Sequence, residues 1–193
     1  MFEFIQGEIV ELNPAYAVVR VGGIGYFLHI SLNTYSALGK NKEAKVLVQQ
    51  IIREDAHLLY GFATSAERDL FRNLISVSGI GASTALMMLS SLSPDELVSA
   101  IATENVILLK SVKGIGIKTA QRIIIDLKDK VTRVPSAEQI LIPANNTIQN
   151  EALSALVMLG FARKEAETAL LKTMKEHPVS NVETVIKLTL KRL

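Results

Sequence analysis

Short runs with period-two alternation fill residues 1 to about 62, and they predict strands at Phe2–Leu12, Tyr16–Val21, Tyr26–Ile30, Ala44–Ile52 and His57–Phe62. Turn residues separate them: Asn13-Pro14, the Gly22–Gly25 cluster and Arg53-Glu54-Asp55. Ser31–Leu38 breaks the alternation and reads as one or two helical turns. Five or six short strands in so little chain predict a small closed barrel or a sandwich.

The period then changes to that of a helix. Thr64-Ser65-Ala66-Glu67 has the form of a capping box, and Leu70, Phe71, Leu74 and Ile75 follow on one helical face. Ser93-Pro94-Asp95-Glu96 opens a second helix, with proline at its first position. Residues 132–149 carry Pro135, Pro143, Asn145 and Asn146 without helical period, and predict a flexible linker that includes the apolar patch Ile140-Leu141-Ile142. Residues 150–193 read as three helices. The first is stopped by Gly160, the second runs from about Arg163 to Glu176 ahead of Pro178, and the third opens at a capping box, Ser180-Asn181-Val182-Glu183. The expected organisation is a β domain at 1–63, a helical domain at 64–131, a linker at 132–149 and a small helical domain at 150–193.

An internal repeat runs through the helical domain at an offset of 35 residues. Nine of the nineteen positions in 74–92 match 109–127, where chance gives roughly one or two. Each copy holds Gly-Ile-Gly between two apolar segments: Gly79-Ile80-Gly81 and Gly114-Ile115-Gly116. Glycines allow tight turns and a close approach by a ligand, and the intervening isoleucine can fill the groove between the helices. The helix that follows starts with unpaired N–H groups and a partial positive charge, which suits a phosphate oxygen. This is the helix-hairpin-helix signature. One copy alone is more often a plain interhelical turn than a clamp; two in register make a pair of phosphate clamps, which read no base. The candidate phosphate-binding residues are Gly79, Gly81, Ala82 and Ser83 in the first copy, and Gly114, Gly116, Ile117, Lys118 and Arg122 in the second. Lys113, Lys118 and Arg122 give the second copy its charge; Ser78, Ser83 and Met87 stand at the matching places of the first.

Composition narrows the chemistry. The 193 residues carry 21 Lys+Arg against 19 Asp+Glu, a net charge of +2. Residues 65–135 hold 9 basic and 7 acidic residues, so any nucleic-acid footprint belongs mainly there. The absence of cysteine excludes disulfides, thiolate zinc sites and a cysteine nucleophile. The three histidines, His29, His57 and His177, lack metal-ligand spacing. Gly114–Thr119 misses the phosphate-loop pattern, because Ile117 separates glycine from Lys118-Thr119. Asp95-Glu96 are first-turn helix acids, and His57 sits at a strand end. No catalytic constellation, metal site or cofactor site is expected. The longest uncharged stretch, Asn73–Pro94, carries two glycines and seven hydroxyl residues and is no membrane span. With a start that lacks the features of a signal peptide, the expectation is a soluble, cytoplasmic protein.

A β-rich first domain, paired helix-hairpin-helix motifs, a linker and a three-helix tail together resemble the RuvA family of Holliday-junction-binding proteins. The specific pieces are Arg53-Glu54-Asp55 followed by Leu58-Leu59-Tyr60-Gly61-Phe62, the two Gly-Ile-Gly hairpins, and Leu159-Gly160-Phe161. The resemblance implies an α+β, multidomain fold with an N-terminal OB-like barrel and a UBA-like three-helix tail. It implies a non-catalytic protein that binds four-way junction DNA as a homotetramer, or as two tetramers face to face in an octamer, and holds the junction open. Glu54 and Asp55 match the family's acidic pin. The tail, 150–193, matches the domain that contacts a RuvB-type hexameric ATPase, and a junction resolvase is a further implied partner. The chain departs from the family pattern at Ala82-Ser83 and Ile117-Lys118, where a basic residue and two successive lysines are usual. The enzyme alternative is a helix-hairpin-helix repair glycosylase or nuclease. It would need a catalytic Lys or Asp after the hairpin and an aromatic base pocket; Lys118 and Asp126 are present, but no aromatic lies between Phe71 and Phe161.

Overall fold

In a computed structural model, residues 2–39, 41–131, 144–176 and 181–193 are described. Two compact units divide the chain, Met1–Val134 and Pro135–Leu193.

The first unit opens with five strands: β1 (Phe4–Asn13), β2 (Tyr16–Val21), β3 (Ile24–Ile30), β4 (Glu43–Ile52) and β5 (His57–Phe62). They close into a barrel in the order β1-β2-β3-β5-β4, with β4 pairing back to β1. All pairs are antiparallel except β3 with β5, where His29 lies opposite Tyr60. The crossover between this parallel pair runs through α1 (Leu32–Leu38) and then β4; α1 is capped by the Ser31 hydroxyl, which accepts from the Thr34 N–H. Alternation places Ile5, Ala17, Val19, Leu28, Ile30, Val46 and Val48 inside, with Leu38 of α1 added. The barrel is tight: a Cβ on Gly61 would lie 2.9 Å from Val46 Cγ1.

Five helices follow: α2 (Ser65–Ile75), α3 (Ala82–Ser91), α4 (Pro94–Ala102), α5 (Val106–Lys110) and α6 (Ile117–Val131). Their core is continuous with the end of the barrel. Tyr60 and Phe62 of β5 pack with Phe71 at ring-centroid distances of 5.1 and 4.9 Å, in a cluster that runs on through Leu74, Met88, Leu97, Ile101, Leu109, Ile123 and Leu127. A polar latch reinforces the join. Glu67 of α2 is buried and accepts from the Ser31 hydroxyl and, at 2.6 Å, from that of Thr34; Thr34 Oγ1 in turn accepts from the Ala63 N–H at 3.0 Å. Arg68 pairs with Glu3 at 2.6 Å, and Arg72 Nε donates to Gln49 Oε1 at 2.6 Å. The capping box expected at Thr64 is therefore only half formed. Thr64 Oγ1 accepts from the Glu67 N–H, but the Glu67 carboxylate is drawn to α1 instead of returning to the cap. The box at Ser93 is complete, and its hydrogen bonds from Ser93 hold the Glu96 carboxyl below its ordinary pKa.

The second unit holds α7 (Ala144–Met158), α8 (Arg163–Glu176) and α9 (Val182–Leu190) around Ala152, Leu156, Ala166, Leu170 and Val185. Helix α7 starts at Ala144, six residues before the expected boundary, and Ile148 packs on this core, which extends the helix into sequence without helical period. Gly160 ends the α7 segment with φ +101°, as its position predicts. Asn181, rather than Ser180, caps α9, accepting from the Thr184 N–H, while Glu183 pairs with Lys187 at 2.6 Å. Ser180, His177, Pro178 and the Ile140–Ile142 patch lie outside the described residues.

Candidate nucleic-acid interface

The two Gly-Ile-Gly hairpins are built alike, atom for atom along the backbone. In the first, α2 ends at Ser76, whose hydroxyl donates back to Asn73 O at 2.7 Å; in the second, α5 ends at Ser111, whose hydroxyl donates to Leu108 O at 2.7 Å. Val77 and Val112 are buried, and each accepts through its carbonyl from the isoleucine N–H three residues on, both at 3.1 Å. Gly79 and Gly114 have φ +91° and +90°, the left-handed region that side chains avoid. Ile80 and Ile115 are each 5% exposed and enter the same core. The next helices begin identically, with Ala85 N–H to Gly81 O and Ala120 N–H to Gly116 O, both 2.9 Å.

The second glycine of each pair has no role in the folded chain that requires glycine. A Cβ on Gly81 or Gly116 would meet nothing within 4 Å, and Gly81 has an extended backbone (φ −86°, ψ 167°) open to any residue. As N-cap of α3, Gly81 also offers no side chain to the first-turn N–H groups, so these point outward without a cap. Uncapped donors at a helix N-terminus suit an oxyanion, and a glycine without a Cβ beside them leaves its approach unobstructed.

The expected site residues divide by what they can offer. The Ala82 side chain is buried, so that residue has only its backbone to give, whereas Ser83 is exposed in the first turn of α3. Ile117 is 52% exposed at the start of α6, and Lys118 beside it is exposed. Arg122, one turn further, is not an isolated cation: its Nη1 donates to Ser78 O in the first hairpin at 3.3 Å, a link between the copies that periodicity cannot reveal. Lys128, further along α6, pairs with Glu104 at 2.5 Å, which holds the Glu104 carboxyl below and the Lys128 ammonium above their ordinary pKa values. Glu104 itself sits at φ +56° in the α4–α5 turn. Glu54 and Asp55 lie apart from the hairpins in sequence, at the tip of the β4–β5 turn. Pairing persists to Ile52–His57, Arg53 N–H donates to Ala56 O at 2.8 Å, and both carboxylates are exposed. In the second unit the apolar residues Val157, Met158, Leu159 and Leu171 are exposed.

Among the described residues no group of His, Asp and Glu is placed to hold a metal ion, and no helix is long and apolar enough to cross a membrane.

A five-stranded barrel of oligonucleotide-binding type, continuous with two registered helix-hairpin-helix motifs, defines a class of protein that grips nucleic-acid backbone. Family models match at residues 1–61 (RuvA N terminal domain), 71–129 (SAM-like Helix-hairpin-helix tandem) and 147–193 (RuvA, C-terminal domain). The chain is 55% identical over 201 residues to a protein of Bacteroides fragilis named Holliday junction branch migration complex subunit RuvA. Proteins of the same name from Bacteroides thetaiotaomicron and Christiangramia forsetii are 53% and 49% identical, and in all three the match covers the whole of both chains. The chain belongs to the RuvA family.

Proposed function

We propose that this protein is the DNA-binding, non-enzymatic subunit of a Holliday junction branch migration complex. The observation that carries the reading is the pair of hairpins with matching backbone geometry, each placing at the start of its second helix a glycine whose Cβ position is open. Backbone donors and the few cations beside them bind phosphate without reading bases, so recognition follows the shape of the DNA. Gly79, Gly81, Ala82 and Ser83 form one clamp; Gly114, Gly116, Ile117 and Lys118 form the other. A homotetramer arranges four such pairs around a junction, with Glu54 and Asp55 of each subunit at its centre as an acidic pin that repels phosphate and favours separated strands. The three-helix tail couples the assembly to a hexameric ATPase of the RuvB type, and the exposed apolar residues Met158 and Leu159 support a protein-binding role for it. ATP hydrolysis belongs to that partner. The setting is the cytoplasm, and a junction resolvase is a further partner of the assembled complex.

Gel shifts of the purified chain on a four-way junction and on duplex of equal length, with native mass measured in parallel, test this. The expected result is junction preference, indifference to base sequence and a mass of four or eight subunits. Strong sequence preference, or cleavage of DNA without ATP, would overturn it in favour of a repair enzyme.

A further inference from the structure

Hairpin one has no cation of its own at the places where hairpin two carries Lys113, Lys118 and Arg122. The structure joins the two unequally. Arg122 Nη1 reaches 44 residues back along the chain to the carbonyl of Ser78. No equivalent residue makes the reverse link: Met87 stands at the position matching Arg122, and the carbonyl matching that of Ser78 belongs to Lys113.

Both ends of the link are anchored. Arg122 lies between fully buried Ala120 and Ile123 on α6, which fixes the direction its side chain leaves the helix. Ser78 lies between buried Val77 and Gly79, the residue with φ +91° that turns hairpin one. A hydrogen bond between these two anchored segments adds a tie at the surface to the core that Ile80 and Ile115 share. The bond also satisfies the carbonyl of Ser78, next to the turn residue Gly79 of hairpin one.

Resting on the phosphate-clamp reading above, we propose that Arg122 is a positioning residue rather than a phosphate ligand: it spans the two hairpins and holds them at the separation that matches two points on one DNA arm. Its contribution is geometric. Lysine at 122 would keep the charge, but its ammonium ends short of the 3.3 Å contact and lacks the planar fork.

The test uses the full chain and three variants, Arg122→Gln, Arg122→Lys and Lys118→Ala, in junction-binding titrations from low to physiological salt. Lys118→Ala should flatten the log–log salt slope by about one for each phosphate it no longer neutralises. Arg122→Gln should weaken junction binding by about five- to tenfold with the slope unchanged, since the groups it misaligns in hairpin one are uncharged. Arg122→Lys should lose as much as Arg122→Gln, and the ratio of junction to duplex affinity should fall for both. Spin labels at Ser83 and Lys113 should give a broader distance distribution in Arg122→Gln at a nearly unchanged melting temperature. A slope flattened by about one in Arg122→Gln, with rescue in Arg122→Lys, would make Arg122 an ordinary phosphate ligand and overturn the inference. So would full affinity in Arg122→Gln. A wild-type chain without junction preference would instead sink the proposed function itself, and this role with it.

Discussion

The four hairpin glycines separate two demands that a single residue type usually conceals. Gly79 and Gly114 are required by the fold, because their φ values near +90° strain any side chain. Gly81 and Gly116 are not, because a Cβ there meets nothing. Gly114→Ala should therefore destabilise the protein by about 1 kcal/mol or more. Gly116→Val should leave stability nearly intact while lowering junction affinity more than Lys118→Ala does, because a side chain occupies the space a phosphate needs. Thermal melts and binding titrations on the same preparations separate these outcomes, and normal binding by Gly116→Val would reduce hairpin two to a packing turn. The buried carboxylate of Glu67 makes a contrasting case. Glu67→Ala would strand the hydroxyls of Ser31 and Thr34 at the barrel–helix join, and about 2–4 kcal/mol of stability should disappear in denaturant titrations. A change under about 1 kcal/mol would mean that the latch is incidental.

Among elements, legibility followed the range of the forces involved. Strands β2 and β5 and helix α8 begin and end where alternation and helical period place them, since each is bounded by local turn or stop chemistry. The 35-residue repeat was equally legible, because Gly-Ile-Gly encodes a backbone shape. Contacts distant in sequence were not. Glu67 leaves its expected box for α1, Ile148 draws α7 upstream into Asn-rich sequence, and Arg122 crosses to Ser78. None of these has a periodic signature, because each depends on which elements the fold brings together. The β4–β5 turn shows its charge in the sequence, whereas its proposed role as a pin comes through family resemblance. Converting Glu54 to Gln and Asp55 to Asn removes its charge without touching the pairing that ends at Ile52–His57. Affinity for plain duplex should then rise while junction binding persists, as a comparison of the two substrates at one salt concentration would reveal. Unchanged duplex affinity would rule out electrostatic exclusion at the pin.

On the scale of the whole molecule, the first unit holds the barrel core and a second cluster that runs from β5 through α6, and the second unit has its own core in α7–α9. A chain ending near Pro143 should keep junction binding and self-assembly but lose ATP-driven branch migration with the partner ATPase. Full branch migration by the truncated chain would remove the tail from the coupling role.

The shared core of the first unit also bears on how the protein is made. Synthesis releases β5 long before α6, yet Tyr60 and Phe62 are covered by a cluster whose last members are Leu127 and Val131. A nascent chain with a finished set of strands thus carries an open aromatic face until Phe71 of α2 emerges, and the cluster that α2 begins stays incomplete until the second hairpin and its helix follow. Stalled chains ending before residue 117 should be cut readily within the unfinished helical part, whereas chains long enough to free Val131 should resist. The helical half in this sense completes the cluster that begins on β5, so that end of the barrel matures only together with the hairpins.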